Sequence, residues 1–376
     1  MNSRRIVVKF GTNVLCRGGE RLDPDVMRDL VRQVAALHGA GAQIAVVTSG
    51  AVAAGRDRLN AGPTRDIERR QVLAAVGQSH LMERYDSLLS EHGLIAAQAL
   101  LTRADLDSRA GYLNARNTLD GLLNAGAATA GVGVIPIINE NDVVADEELR
   151  GGAFGENDSL SALVANLLDA DLLIMLSDVA GLYDHDPASH PDAQLIAVVE
   201  AGGEHRAETA GAAGQGRGGM RAKVQAATRA ATAGTTVVIA DGAEPDALLR
   251  IARGEPLGTR FPARATRVES RKRWLLSGVS TVGEIRIDAG AAAALRRDGR
   301  SLLPAGIVGV QGGFLRGDIV QVRDAEGRRL GVGISDYASD DVERIRGQRS
   351  GEIETILGYA YGDEVIHRNN LAIAEP

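Results

Sequence analysis

Apolar runs and amphipathic segments alternate over the first 250 residues of the chain. Five short apolar runs predict β-strands, at residues 6–10, 44–48, 134–138, 172–176 and 237–240. Apolar residues at helical spacing predict helices over residues 25–38, 67–90, 109–123, 159–170 and 219–233. Strands that alternate with helices form parallel sheets with crossover helices. We therefore predict an open, mostly parallel α/β/α sandwich.

The pattern changes after residue 280. Short strands are predicted at residues 283–288, 307–311, 318–323 and 329–335, with glycine-rich turns between them. This spacing favours a small β-barrel or sandwich. Residues 264–350 also carry 16 basic and 11 acidic side chains, whereas the whole chain has a net charge of -7. We predict a first domain at 1–258, a linker at 259–279 and a β-rich domain at 280–360.

Composition narrows the class of protein. The start of the chain lacks the apolar core of a secretory signal, and no apolar stretch reaches the ~18 residues of a membrane span. The single cysteine, Cys16, excludes an internal disulfide framework. These features favour a cytoplasmic protein with no membrane partner. The acidic balance argues against a chain devoted to nucleic acid, so RNA binding by the basic C-terminal part is a lesser alternative.

Candidate binding residues follow the predicted strands, because ligands bind at the carboxyl ends of parallel strands. Lys9 ends the first strand, and Gly11 and Thr12 offer backbone and side-chain donors to an anion. Ser49 and Gly50 stand where a helix N-terminus would favour negative charge. An ordinary turn and an ordinary serine cap explain the same residues.

Polar residues follow two more predicted strands and precede one predicted helix. Residues 139–142 could bind an amino group or form a turn, and Ser177 and Asp178 could contact a nucleotide or form a structural turn. Asp158 precedes a predicted helix, so it is either a helix cap or a carboxylate that holds nearby lysines.

Lysine is rare here, since only three of the 42 basic residues are lysines: Lys9, Lys223 and Lys272. Lys223 follows the stretch at residues 202–219, which is rich in glycine and alanine and which we expect to be a mobile loop. The glycines at 216, 218 and 219 suggest a phosphate cradle without the Walker A spacing. A flexible loop and an exposed lysine are the alternative. Two lysines at separate glycine-containing loops suit phosphoryl transfer, whose transition state spreads negative charge.

The motifs occur in an order that resembles the glutamate 5-kinase branch of the amino acid kinase family, and residues 280–355 resemble a PUA domain. The matching stretches are VVKFGTNVL (7–15), VTSGAVAAGR (47–56), VLAAVGQ (72–78), LLTRAD (100–105), YLNARNTL (112–119), INENDVV (138–144), GENDSLSALVA (155–165), SDVAGLY (177–183), GGMRAKVQAA (218–227) and RKRWL (271–275).

This resemblance implies a reaction of MgATP with L-glutamate that forms L-glutamyl 5-phosphate, the first step of proline synthesis. It also implies a dimer or tetramer, feedback inhibition by proline, and magnesium that arrives with ATP without a protein metal site. The implied catalytic residues are Lys9, Lys223 and Asp158. The implied glutamate contacts are Ser49, Gly50, Asn139, Asp142 and Asn157. The implied ATP contacts are Lys9, Gly11, Thr12, Ser177, Asp178, Arg217, Gly218, Gly219, Met220, Arg221, Ala222 and Lys223.

Three features depart from the family pattern. The segments at residues 126–133, before the INENDVV stretch, and 150–155, before the GENDS stretch, are longer than is usual in the family. Arg217 stands where small polar residues are common. A related kinase that phosphorylates acetylglutamate, carbamate, aspartate or uridylate is the rival interpretation.

Overall fold

The computed structural model describes residues 4–128, 132–145, 156–185, 187, 189–200, 219–264 and 281–373. The chain divides into two compact units, one of Met1–Leu106 with Ala115–Ala265 and one of Asp107–Asn114 with Thr266–Pro376. Residues 150–155, the expected loop before Gly219 with Arg217 and Gly218, and most of the expected linker lie outside the described residues.

The first unit contains a seven-stranded sheet with the strand order β3-β4-β2-β1-β5-β6-β7. Neighbouring strands are parallel except for β7, which runs antiparallel to β6. The mostly parallel sheet that we predicted is confirmed, but two of its strands, β3 and β7, were missed. The strands are β1 (Arg5–Phe10), β2 (Gln43–Thr48), β3 (Leu94–Leu101), β4 (Gly133–Glu140), β5 (Leu172–Ser177), β6 (Thr236–Asp241) and β7 (Thr259–Phe261).

The helices of the amino-terminal part follow local signals in the chain. In α2, the Asp23 side chain accepts hydrogen bonds from the backbone N–H groups of Asp25 and Val26, and Pro24 opens the first turn. The helices are α1 (Thr12–Leu15), α2 (Pro24–Gly39), α3 (Ala51–Leu59), α4 (Ile67–Ser90), α5 (Arg103–Asp107), α6 (Arg109–Ala128), α7 (Glu156–Leu167), α8 (Gly219–Thr232) and α9 (Ala247–Ala252). No helix in the described part of the chain is long and apolar enough to cross a membrane.

The register of the central strands brings three chain segments to one edge of the sheet. Phe10, at the end of β1, lies opposite Thr48 of β2 on one side and Leu176 of β5 on the other. Because parallel strands end at the same edge, the residues after them meet there. The strands are buried on both faces, as in parallel sheets covered by helices.

The second unit contains one mixed five-stranded sheet with the order β12-β11-β10-β8-β9. A separate core that includes Ile285, Val320 and Tyr337 lies within it. The described strands form a single sheet, so the sandwich alternative is wrong. Leu295, Val342 and Ile353 of the short helices belong to the same core as the strands, so helices rather than a second sheet complete this core. The elements are β8 (Gly283–Ile287), α10 (Ala289–Asp298), β9 (Ile307–Gln311), β10 (Ile319–Arg323), β11 (Arg329–Ile334), α11 (Ser339–Ile345), α12 (Ile353–Leu357) and β12 (Leu371–Ile373).

Candidate active site

One buried carboxylate joins two lysines at the edge of the first sheet. The Nζ atom of Lys9, in β1, lies 2.7 Å from Oδ1 of Asp158, and Nζ of Lys223, in α8, lies 3.4 Å from Oδ2. The Asp158 side chain is 2% exposed and that of Lys9 6%. Asp158 stands in the first turn of α7, so the helix begins earlier than predicted and Asp158 is not its cap.

Two ammonium groups lie against the single carboxylate of Asp158, which balances only one of their two charges. Burial lowers the pKa of Lys223, the nearby Lys9 ammonium lowers it further, and Asp158 only partly opposes both effects. An anion that enters beside the lysines would favour the charged form of Lys223. The electrostatics therefore suit a phosphate group.

Glycine leaves room beside the first ammonium. A Cβ atom on Gly11 would lie only 3.1 Å from Nζ of Lys9. The cleft in front of the lysines has a volume of about 170 Å³. It is lined by Lys9, Asp158 and Lys223 together with Gly11, Thr12, Asn13, Val14, Ser49, Asn157, Leu176, Ser177, Asp178 and Gly219.

A second carboxylate, Asp178, borders the cleft after β5. Burial raises the pKa of Asp178, but its hydrogen bonds with Asn13, with its own backbone N–H and with Ser177, together with the charge of Lys223, outweigh burial and lower it. Asn13 Nδ2 donates to Oδ2 at 2.8 Å, and Ser177 Oγ donates to Oδ1 at 3.2 Å. Asp178 is therefore held anionic beside the lysines. Asn13 lies within the stretch VVKFGTNVL, but the sequence did not indicate its role.

A network of amides extends from the lysines toward β2 and β4. Asn157, the neighbour of Asp158 in the chain, donates from Nδ2 to Ser49 Oγ at 3.0 Å and to Asn139 Oδ1 at 3.3 Å. Asn139 Nδ2 then donates to Oε1 of Gln78, in α4, at 2.9 Å. The amides of Asn157, Asn139 and Gln78 thus form a chain of hydrogen bonds from the charged cleft to α4. Gln78 ends the stretch VLAAVGQ (72–78), but the sequence did not indicate its role.

The remaining expected substrate residues lie at the same edge. Gly50 precedes α3 with a φ of 104°, a left-handed conformation that glycine adopts at little cost. Asp142 is buried just after β4. Neither lines the 170 Å³ cleft.

Comparison with known proteins identifies the family. Residues 4–241 match the model of the amino acid kinase family, and residues 283–357 match the model of the PUA domain. A glutamate 5-kinase from Dehalococcoides mccartyi strain CBDB1 is 48% identical, with 98% of each chain covered. A glutamate 5-kinase from Herpetosiphon aurantiacus is 50% identical, with 98% of this chain and 97% of that one covered. The chain belongs to the glutamate 5-kinases of the amino acid kinase family.

The chain is accordingly a kinase and a transferase, with a PUA domain in its C-terminal part. A glutamate 5-kinase from Deinococcus radiodurans is 49% identical, with 98% of this chain and 99% of that one covered. The solved structure of a UMP kinase from Bacillus anthracis covers 70% of this chain, with a TM-score of 0.45 and 15% identity. A likeness at that level says nothing about the substrate.

The run at the start of α8 contributes to this kinase's cleft unevenly. Of its described residues, Gly219 and Lys223 line the cleft. The Ala222 side chain is buried in the core and Arg221 is exposed. The expected nucleotide contact of Ala222 is therefore limited to its backbone.

Proposed function

We propose that this kinase transfers the γ-phosphoryl group of ATP to the side-chain carboxylate of L-glutamate. The products are L-glutamyl 5-phosphate and ADP, and the reaction is the first step of proline synthesis in the cytoplasm. The observation that carries the proposal is the Lys9–Asp158–Lys223 cluster at the edge of the sheet. The name that the relatives share supports glutamate as the acceptor.

Transfer is in line and requires no general base, because the attacking carboxylate is already anionic at neutral pH. A carboxylate oxygen forms the new bond to phosphorus as the bond to the leaving oxygen of ADP breaks. Lys9 and Lys223 stabilise the charge on the transferred group from two sides, and Asp158 keeps both ammonium groups in place.

The nucleotide lies on the β5 side of the cleft in this proposal. Gly11, Thr12, Ser177 and Gly219 offer donors to its phosphates. Magnesium accompanies ATP and neutralises the phosphate oxygens. The anionic Asp178 suits such an ion, because magnesium is commonly bound by one or two carboxylates together with substrate phosphates.

Glutamate lies on the β2 and β4 side. Ser49, Gly50, Asn139 and Asn157 hold it near the lysines, and the buried Asp142 carboxylate receives its amino group. We further propose a homo-oligomer, a dimer or tetramer, that proline inhibits. We propose no RNA ligand for the PUA domain.

The test is ATP consumption with L-glutamate, with the acyl phosphate trapped as a hydroxamate. We expect glutamate-dependent turnover that Lys223→Ala lowers by more than about a hundredfold, on the scale of lost transition-state charge stabilisation. Arg229→Ala removes one charge near the other end of α8 and is the matched control, with a rate close to the wild type.

Hydroxamate that forms with another acceptor and not with glutamate would overturn the substrate. Equal losses in Lys223→Ala and Arg229→Ala would overturn the role of Lys223.

A further inference from the structure

The orientation of the Gln78 side-chain amide is determined by the backbone. The N–H group of Glu140 donates to Oδ1 of Asn139 at 2.9 Å, which makes the other end of that amide Nδ2. Nδ2 faces Gln78 at 2.9 Å and donates, so the atom of Gln78 that meets it is the acceptor Oε1. The opposite arrangement would place two donors against each other.

The free end of Gln78 is therefore its donor, Nε2. This atom is buried and has no hydrogen-bond partner within the described ranges of the chain. Buried donors are nearly always paired, because leaving one unmet costs free energy. The structure thus contains a donor that a bound ligand can satisfy.

The position of Gln78 indicates which part of a ligand it meets. Asn157 lies next to Asp158 in the chain, and Gln78 lies two hydrogen bonds beyond Asn157, through Asn139. The reacting carboxylate of the acceptor has to meet the phosphoryl group at the lysines. Gln78 is at the other end of the network, so it faces the end of the acceptor that does not react.

The geometry points to Gln78 as a positioning residue, whose Nε2 donates a hydrogen bond to the α-carboxylate of the acceptor amino acid. This inference rests on the proposed function and deepens it. An acceptor without an oxygen at that position leaves the donor buried and unpaired, which is the situation in which sites reject close analogues most strongly. Gln78 would then select for an acceptor with an oxygen at that position. It would also favour a charged α-carboxylate over the neutral carbonyl of an amide, because hydrogen bonds to a charged group are stronger.

The decisive variant is Gln78→Glu. Its carboxylate still accepts the hydrogen bond from Asn139, but an anionic oxygen replaces the Nε2 donor beside the α-carboxylate of the acceptor. We expect the KM for L-glutamate to rise by about 10- to 100-fold, the scale of a lost hydrogen bond to a charged group. The KM for ATP should stay within about twofold, because the lysine cluster is unchanged.

The preference for L-glutamate over its α-amide separates a role in binding from a merely structural role. A structural defect would raise the KM for both compounds and leave the preference unchanged. Its carboxamide can donate to the new carboxylate, so Gln78→Glu should lose most of the wild-type preference for L-glutamate over the α-amide. Gln78→Met removes both hydrogen bonds, so it should raise the KM for both compounds without favouring the amide. It also tests the inference if Gln78→Glu fails to fold.

Gln71→Met is the matched control. It removes a glutamine from the same helix whose Nε2, within the described residues, makes one long, exposed contact of 3.5 Å to the Val143 carbonyl oxygen. It should leave both KM values near the wild type. An unchanged preference in Gln78→Glu, or equal rises in the KM for glutamate, amide and ATP, would overturn the inference. Wild-type enzyme that ignores glutamate would refute the proposed substrate itself, before any Gln78 variant is measured.

Discussion

Gly77 of α4 lies directly against the backbone of Ala51 of α3. A Cβ atom at Gly77 would be 1.8 Å from the carbonyl oxygen of Ala51, and one at Gly55 would be 1.9 Å from that of Leu73. The two helices therefore touch through their backbones. This contact places Gln78 in α4 and Gly50 before α3 at the same edge of the sheet.

Gly77→Ala should destabilise the protein and weaken glutamate binding together. The methyl group cannot fit without separating the helices, and overpacking of this kind costs about 1–3 kcal/mol. Thermal unfolding and the KM for glutamate measure the two effects. Gly121→Ala is the control, because Gly121 lies in α6 with open space around its Cβ position, and it should be neutral or slightly stabilising. Equal melting temperatures for the two variants would contradict this prediction.

Asp158→Asn should lower kcat by about a hundredfold or more while the fold persists. The amide cannot balance two ammonium groups, so they repel each other and lose the positions from which they stabilise the transferred phosphoryl group. Steady-state kinetics measures this loss. Asp169→Asn is the control, because it removes the carboxylate of a different ion pair, the one between Asp169 and the buried Arg116. It should affect thermal stability much more than kcat, and a comparable fall in kcat would argue against a special role for Asp158.

The pH dependence should reveal Lys223. Its pKa lies below the ordinary value of 10.5 in the folded protein because of burial and of Lys9. In the free enzyme, kcat/KM for ATP should therefore fall at a pH below 10.5. The Lys223 ammonium group loses its proton more easily in the folded protein than in the unfolded chain. The contribution of Lys223 to the free energy of unfolding should therefore rise with pH between its folded and unfolded pKa values.

Lys223→Arg tests the assignment of that fall. Arginine stays charged throughout this range, so the alkaline fall should move to higher pH even if the variant is slower at neutral pH. A fall at the same pH in both proteins would assign the titration to another group.

Asn13→Ala should raise the KM for ATP by about 3- to 10-fold, the scale of one ordinary hydrogen bond, because the Asn13–Asp178 bond is exposed and acts on ATP only through Asp178. The KM for glutamate should change little. The substitution removes the donor that holds the Asp178 carboxylate in place and that lowers its pKa. Asn124→Ala, which removes an exposed asparagine of α6, is the control. A rise in the KM for glutamate alone would place Asn13 on the other side of the site.

The central strands could be predicted because parallel strands buried on both faces are continuous apolar runs. Strand β3 was missed because it is an edge strand rich in alanine, with Ile95 and Leu100 exposed, and its pattern is neither continuous nor regularly alternating. Strand β7 has only three residues.

Candidate residues of the site could be found at strand ends and helix starts, but their contacts could not be predicted. Asp158 and Lys223 are 65 positions apart, and only the packing of α7 beside α8 brings them together. Gln78 lies far from any strand end in the sequence, in the middle of α4. Its place in the network depends on the contact between Gly77 and Ala51, which no local pattern expresses.

The strand order also separates two halves of the site. β1, which carries Lys9, lies between β2 and β4 on one side and β5 and β6 on the other. Under the proposed reaction the amino acid lies over the first pair and the nucleotide over the second. Substitutions after β2 and β4 could then alter the choice of acceptor during evolution while the use of ATP is preserved. The same fold can therefore acquire new acceptors without changes in its nucleotide-binding half.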